Sequence, residues 1–239
     1  MYEIQQDQQF ERFENSKTAH DLPANSAKAF TDSDDRQLLN RALQALRRNP
    51  IHYYRDNVIV CEGDPADFVF LVVSGTVRTC RTYQTGTRSI IAFYLPGDLL
   101  GWTNATKYYL SVEAATDAIV VWFKRRALLS IASRENGIAN SLLAATINEL
   151  RRTQEHASLM SRDAKHRVAA FLSDLWARLG KPECLDLPMS HQDVADHLGL
   201  TIETVSRMIT VMERAGVVAR GPNHGLFLRN RRALMRMMS

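Results

Sequence analysis

The sequence of 239 residues has little cysteine, and its three thiols lie far apart. Cys61, Cys80 and Cys184 form no C-x-x-C pair and have no histidines clustered beside them. This spacing argues against a structural zinc site and against a disulfide framework. We therefore expect reduced thiols, as in the cytoplasm, and neither a metal site nor a cofactor.

Long apolar runs are also missing. No stretch approaches the ~18 consecutive apolar residues that a membrane-spanning helix needs. The opening residues, MYEIQQDQQF, lack the basic and then apolar layout of a secretory signal. The hydrophobic content of 45% nevertheless allows one large core or two ordinary ones. We expect a cytoplasmic protein with no membrane partner.

The sequence contains no recognisable catalytic pattern. Serine, histidine and aspartate are scattered, no glycine-rich loop is suited to hold a phosphate, and no helix carries paired metal ligands. We expect that the protein is not an enzyme. An enzyme whose site leaves no pattern in the sequence remains an alternative.

The net charge of +4 lies entirely in the C-terminal third of the chain. Residues 1–159 contain 18 basic and 18 acidic residues, whereas residues 160–239 contain 12 basic and 8 acidic residues. The last twenty residues hold five arginines and no acidic side chain. This asymmetry indicates a polyanionic partner for the C-terminal part.

Residues 190–216, SHQDVADHLGLTIETVSRMITVMERAG, have the pattern of two short helices joined by a tight turn. Ser190 followed by Asp193 is typical of a helix start. Gly199 provides the left-handed residue that the turn needs, and a second helix begins at Thr201. The residues that this second helix is predicted to bury are Val205, Met208, Ile209 and Met212.

Three polar residues share one outward face of this second helix. Glu203, Ser206 and Arg207 are three and four positions apart, which places them on the same side. A carboxylate, a hydroxyl and a guanidinium are suited to hydrogen-bond base edges in a major groove. A solvated ion pair on an ordinary amphipathic helix is the alternative. With the charge asymmetry, the pattern favours binding to double-stranded DNA.

The remaining chain predicts an α+β protein. Between residues 51 and 123 the chain contains short runs in which the apolar residues follow a period of two, as in β-strands, and turn dipeptides separate these runs. This pattern predicts an antiparallel β-roll or sandwich. The closing run VVARGPNHGLFLRN predicts a hairpin, or wing, followed by a short basic helix. The expected domains are a flexible arm (1–32), a β-roll with flanking helices (33–135), a dimerisation helix (136–160) and a winged helix-turn-helix (161–239).

The predicted dimerisation helix has a coiled-coil pattern. Residues 138–160 contain neither glycine nor proline, and apolar residues recur at 4-3-4-3 spacing, with one glutamine to fix the register. A helix packed only on its own domain is the alternative. The predicted seam residues are Leu143, Ile147, Leu150, Gln154 and Ala157.

Phosphate contacts are expected from the starts of the two short helices and from the wing. The loop residue Cys184 follows Lys181, which favours a thiolate, so a redox role and an idle thiol are both open. The predicted phosphate-contacting residues are Ser190, His191, Gln192, Thr201, Thr204, Arg220 and His224.

Three stretches of the chain resemble the CRP/FNR superfamily of bacterial transcription regulators. They are GDPADFVFLVVSGTVR (63–78), LPGDLLG (95–101) and LGLTIETVSR (198–207). The resemblance implies a cyclic-nucleotide-binding-like β-roll, a long dimerisation helix and a C-terminal winged helix-turn-helix. It also implies a homodimeric regulator, expected to be an activator, that works with RNA polymerase.

The predicted DNA-contacting helix resembles the FNR-like branches. Glu203, Ser206 and Arg207 match their glutamate-x-x-serine-arginine set, and Ile202 stands where the cyclic-AMP branch has arginine. The resemblance implies operators of the type TTGA-N6-TCAA. We expect Arg207 to contact guanine, Glu203 cytosine and Ser206 the thymine-rich flank, with Ile202 as a fourth base-contacting residue.

The sensing half departs from the best-known members. Residues 1–60 contain no cysteine, so the thiolates of an iron–sulfur oxygen sensor are missing. The segment LLGWTNATKYYLSVE lacks the glutamate and the Arg-Ser pair that hold a cyclic phosphate. The chain resembles the FixK-like group, which controls nitrogen fixation, denitrification and microaerobic respiration. Haem-based sensing of carbon monoxide or nitric oxide, and a cyclic-nucleotide-binding regulatory subunit, are the alternatives.

Overall fold

The computed structural model describes residues 50–221 and 225–238. The predicted arm (1–32) and His224 lie outside the described residues, so the expectations about them stay predictions. The described chain begins with eight strands: β1 (Ile51–Tyr53), β2 (Val58–Val60), β3 (Phe68–Ser74), β4 (Val77–Thr82), β5 (Arg88–Tyr94), β6 (Leu99–Leu100), β7 (Ser111–Ala114) and β8 (Ala118–Lys124).

These strands form the predicted antiparallel roll from two four-stranded sheets. One sheet has the order β1-β8-β3-β6 and the other the order β2-β7-β4-β5. Their facing side chains enclose a core that includes Phe70, Val72 and Val120, each at most 1% exposed. Strands β1 and β6, of three and two residues, were not predicted, because such short segments show no alternating pattern of their own. Strand β2 is as short as β1, but it lies in the apolar run NVIVC (57–61), which was predicted.

Six helices and a small sheet complete the described chain. The predicted dimerisation helix (136–160) and the predicted helix start at Thr201 agree with the structure to within about two residues. The helices are α1 (Arg125–Ala132), α2 (Asn136–Leu159), α3 (Ala164–Arg178), α4 (His191–Leu198), α5 (Ile202–Arg214) and α6 (Arg231–Arg236), and the sheet consists of β9 (Cys184–Leu185), β10 (Val218–Arg220) and β11 (Leu226–Leu228).

The small sheet has the order β10-β11-β9, with antiparallel pairing throughout. Strands β10 and β11 are the predicted wing. Strand β9 was not predicted, and it corrects the placement of Cys184: this residue lies in a strand paired with β11, opposite Phe227, rather than in a loop. A two-residue strand forms only through this pairing with residues about forty positions later, which the local sequence does not indicate.

The C-terminal helices pack directly on the roll. One continuous core joins Ile90 and Phe93 of β5 to Phe171 of α3 and to the apolar faces of α4 and α5. The start of α2 packs on the opposite sheet, where Ile138 is fully buried. The predicted division of the chain at residues 135 and 160 stays a prediction, since the described cores cross from one part to the other.

Candidate nucleic-acid interface

Helix α4 begins with a capping box. The Ser190 hydroxyl accepts a hydrogen bond from the Asp193 backbone N–H (3.0 Å), and the Asp193 carboxylate accepts one from the Ser190 N–H (3.2 Å). At the other end Gly199 has φ +61°, in the left-handed region. The structure therefore confirms both the predicted helix start and the predicted turn residue.

Helix α5 begins after Thr201, whose hydroxyl accepts from the Thr204 N–H (3.2 Å). Of the four residues predicted to be buried, Met208 is only half-buried, while the other three are buried against α3 and α4. Ala195 of α4 is fully buried, and its small side chain permits the close crossing of the two helices. The opposite face of α5 is exposed and therefore available to a partner. The three buried residues of α5 named above are Val205, Ile209 and Met212.

The predicted base-contacting residues share this outward face. Ile202, Glu203, Ser206 and Arg207 are all exposed on the first two turns of α5. The Glu203 carboxylate accepts hydrogen bonds from its own backbone N–H and from the Thr201 side chain, and these lower its pKa below the ordinary value. Glu203 is therefore a charged acceptor at neutral pH.

The Arg207 guanidinium makes one long hydrogen bond to a neighbouring side chain of α5. Its Nη2 donates to the Thr204 hydroxyl at 3.3 Å. Glu203 stands one turn before Arg207, so the sequence also predicts that it braces the Arg207 guanidinium. The described residues contain no ion pair between the two. The two side chains lie one turn apart on the same face and are separately oriented.

The predicted phosphate-contacting residues fall into two groups. The hydroxyls of Ser190 and Thr201 already cap α4 and α5, and His191, Gln192 and Thr204 lie within the first turns of these helices. The backbone N–H groups and the positive end of the helix dipole favour an anion at such a helix start.

The second group is the wing. The exposed Arg220 of β10 donates to Glu213 (3.1 Å) and to the Thr210 hydroxyl (3.3 Å), so it connects the wing to the far end of α5. No local sequence pattern indicates this connection. Beneath the hairpin, a Cβ on Gly221 would lie 3.0 Å from the Cys184 sulfur, which places this half-buried thiol directly below the wing.

The predicted seam forms an exposed apolar strip along α2. Leu143, Ile147 and Leu150 are each more than half exposed, at 58%, 56% and 56%. Gln154 and Ala157 continue the strip, and both are exposed. Large aliphatic side chains this exposed on one face of a long helix are typical of a surface that a partner covers.

The structure also brings together a group that the sequence did not suggest. Arg78 of β4 and Arg88 of β5 both contact the carboxylate of Asp193, at 3.0 and 2.7 Å, and Arg88 also contacts Asp196 at 2.8 Å. We call these four residues the interdomain cluster. Asp193 was predicted only as a capping residue, and a local pattern cannot reveal partners more than a hundred positions away.

The segment between β6 and β7 holds the positions where the cyclic-nucleotide branch binds its ligand. Tyr108 is buried there and donates its phenol to the Phe68 carbonyl (2.6 Å). Arg125 donates to the carbonyls of Thr103 and Ala105, so protein groups hold this segment in place. Over residues 50–221 and 225–238 there is no cluster of three potential metal ligands. None of the helices described is long and apolar enough to cross a membrane.

Comparison with protein families gives two matches that together cover most of the chain. A model described as "Crp-like helix-turn-helix domain" matches residues 166–237. A second, described as "Cyclic nucleotide-binding domain", matches residues 50–135. The first match separates the chain from regulatory subunits that use a cyclic-nucleotide-binding roll without a helix-turn-helix.

Similar proteins carry related names. The "Nitrogen fixation regulation protein FixK" of Azorhizobium caulinodans is 38% identical over an alignment of 229 residues, and the match covers 92% of this chain and 92% of its own. The "Transcriptional activator protein FnrL" of Cereibacter sphaeroides is 31% identical and covers 71% of this chain and 73% of its own. The solved structure of FixK2 from Bradyrhizobium japonicum superposes with a TM-score of 0.77 at 36% identity, covering 81% of this chain and 98% of that one. The chain therefore belongs to the CRP/FNR superfamily of DNA-binding transcription regulators, in its FixK-like branch.

Proposed function

We propose that the protein is a homodimeric activator that binds operators of the type TTGA-N6-TCAA and works with RNA polymerase. Its targets would be genes of nitrogen fixation, as the name of the FixK relative suggests, or genes of microaerobic and anaerobic respiration, as the resemblance to the FixK-like group implies. The observation that carries the proposal is the exposed face of α5, where Ile202, Glu203, Ser206 and Arg207 lie together.

Each residue of this face has a chemically matched base partner. The Arg207 guanidinium can donate two parallel hydrogen bonds to the O6 and N7 atoms of guanine. The charged carboxylate of Glu203 is suited to accept from the N4 amino group of cytosine. Ile202 offers an apolar side chain to a thymine methyl, and the Ser206 hydroxyl can donate or accept beside it.

The operator geometry fits a two-fold dimer built on α2. In TTGA-N6-TCAA the centres of the half-sites are about ten base pairs apart, which is one turn of B-DNA and the separation that paired helix-turn-helix domains require. The exposed strip from Leu143 to Ala157 provides a surface on which two copies can pair. Pairing along this strip would place one α5 helix at each half-site.

Electrostatics should contribute much of the affinity. The N-termini of α4 and α5, with Ser190, His191, Gln192, Thr201 and Thr204, would contact phosphates, and Arg220 would do so from the wing. Neutralising several phosphates releases counterions, so raising the salt concentration from about 50 to 200 mM should weaken binding by at least ~100-fold. We also propose that the protein has no catalytic activity and acts in the cytoplasm.

The decisive experiment is competition binding against a panel of single-base operator variants. Arg207→Ala should cost about 1–3 kcal/mol per half-site and remove the preference at the guanine position. Arg220→Ala is the matched comparison, because it removes a charge from the same interface but no base contact. It should weaken all sequences about equally.

Retained guanine preference in Arg207→Ala would show that α5 does not contact the major groove as proposed. Affinity that is independent of salt would exclude the phosphate contacts.

A further inference from the structure

Helix α4 is attached to the roll by buried ion pairs. The side chain of Arg78 is only 3% exposed, and that of Asp193 only 2%. Arg78 also contacts Glu113 and Asp56 of the roll, at 2.7 and 2.9 Å. Arg88 adds its contacts to Asp193 and Asp196 from the neighbouring strand. The interdomain cluster therefore joins the β4-β5 sheet to the first turns of α4.

Asp193 has two structural roles at once. One carboxylate oxygen accepts from the Ser190 N–H and completes the capping box, while the other accepts from both arginines. The start of α4 is thus bonded to the roll through the same side chain that caps it. Because α4 and α5 share a buried core, a change in the direction of α4 would move the base-contacting face of α5 with it.

A histidine fixes the other end of α4. His197 Nδ1 donates to the Ile90 carbonyl at 3.0 Å, and its ring lies against Phe93, with centroids 5.2 Å apart. The ring also stacks on His156 of α2. Helix α4 is consequently held at its start by ion pairs and near its end by β5 and by the predicted dimerisation helix.

Stability alone does not account for buried ion pairs at this interface. Removing charges from water carries a large desolvation cost, and well-packed apolar residues are often at least as stabilising. Ion pairs with hydrogen bonds add something that apolar contacts lack, namely a fixed direction, and the planar donors of arginine are especially restrictive. The arrangement is therefore suited to setting an angle between two parts of the molecule.

We propose that Arg78 and Arg88 are positioning residues for DNA binding. Through Asp193 and Asp196 they hold α4, and with it α5, at the angle to α2 that matches the spacing of the two half-sites. The inference rests on the proposed binding of a dimer to a two-part operator. The surface of the roll thereby determines which operator spacing the dimer prefers, and it does so without a ligand in the roll.

The test uses full-length protein and operators whose spacers have five, six or seven base pairs. Each added base pair rotates one half-site by about 35° relative to the other. Losing a charge-assisted hydrogen bond corresponds to about tenfold or more in an equilibrium constant. We expect the unchanged protein to bind the operator with the six-base spacer at least about tenfold more tightly than the other two. Arg88→Ala and Asp196→Ala should each reduce this preference to a few-fold.

The control is Arg81→Ala. Arg81 lies on β4, close in sequence to Arg78, but its ion pair with Glu62 (3.0 Å) stays within the roll. This variant should keep the spacer preference. The double variant Arg88→Ala/Asp196→Ala should be no less selective than Arg88→Ala alone, because the ion pair of Asp196 with the roll is already lost when Arg88 is removed. Arg88 is chosen over Arg78 because it is partly exposed, and its loss is less damaging to folding.

The outcomes separate the two proposals. If Arg88→Ala lowers thermal stability and overall affinity but retains the spacer preference, the cluster is merely structural and the inference is wrong. If the unchanged protein binds TTGA-containing and scrambled DNA equally, the proposed operator is wrong. In that case hydrogen exchange in α4 and β5 still tests the cluster: Arg88→Ala should raise exchange there at least tenfold relative to Arg81→Ala. Equal exchange in the two variants would overturn the inference.

Discussion

The imidazole rings of His156 and His197 stack with their centroids 4.2 Å apart and their planes 20° apart. His156 belongs to α2 and His197 to α4, so the pair joins the predicted dimerisation helix to the helix-turn-helix. Burial, and then the charge of the neighbouring His156, lowers the pKa of His197 to about 3. Burial also lowers the pKa of His156. Both rings are therefore neutral in the folded protein at physiological pH.

This pair makes folding sensitive to acid. An unfolded histidine takes up its proton near pH 6.5, whereas folded His197 does so only near pH 3, so its contribution is present above pH 6.5 and is lost progressively below it. For His197 alone, the free energy of unfolding should fall by about 1.4 kcal/mol between pH 7.5 and 5.5. Urea denaturation at several pH values measures this.

His197→Gln should flatten the dependence on pH over that interval. His52→Gln, on the exposed edge strand β1, removes a histidine without touching the stack and should keep the dependence. An unchanged slope in His197→Gln would mean that the acid sensitivity arises elsewhere.

The seam on α2 gives a second prediction. Ile147→Asp places a charge at the centre of the exposed apolar strip, where pairing of two copies would bury it without a partner. An unpaired buried charge costs about 3–5 kcal/mol, so the dimer should dissociate at least ~100 times more readily. Sedimentation velocity should then show monomers, and operator binding should weaken in parallel.

Asn148→Asp is the matched control for this variant. It introduces the same charge at the neighbouring exposed position of α2, on a face turned away from the strip. We expect it to remain dimeric. A dimeric Ile147→Asp protein would mean that the copies pair through another surface.

Features with a local signature could be predicted from the sequence. The capping box of Ser190 and Asp193 and the left-handed Gly199 are fixed by neighbouring residues, and both occur as expected. The outward face of α5 follows from helical spacing alone. Strand β9 and the contact between Arg78 and Asp193 could not be predicted, because they depend on how distant segments pack.

The same limit applies to individual side chains. Helical periodicity placed Met208 in the core, but it lies at the border of the buried face and is half-buried. Arg220 was expected to contact phosphate, and the structure adds bonds to Glu213 and Thr210 that only the folded wing can create. Its contact with DNA stays a prediction.

The last prediction compares two glycines that have positive φ but different surroundings. Gly199 lies in the turn between α4 and α5, and Gly75 lies between β3 and β4. At Gly199 a Cβ would lie 3.6 Å from the Arg167 guanidinium, an ordinary contact, so the cost of Gly199→Ala comes only from its φ of +61°. This left-handed conformation costs alanine about 1–2 kcal/mol, and asparagine less. At Gly75 a Cβ would lie 2.1 Å from the Asp117 carbonyl oxygen, which belongs to the backbone and cannot rotate away.

We therefore expect loss of stability in the order Gly75→Ala, Gly199→Ala, Gly199→Asn, with the first largest. For a chain of this size, about 1–2 kcal/mol corresponds to a fall in Tm of roughly 2–8 °C, which scanning calorimetry resolves. Gly199→Asn should also retain most of the operator affinity, because it keeps the turn that sets the angle between α4 and α5. Equal destabilisation by alanine and asparagine at position 199 would mean that crowding, and not backbone conformation, makes glycine necessary in this turn.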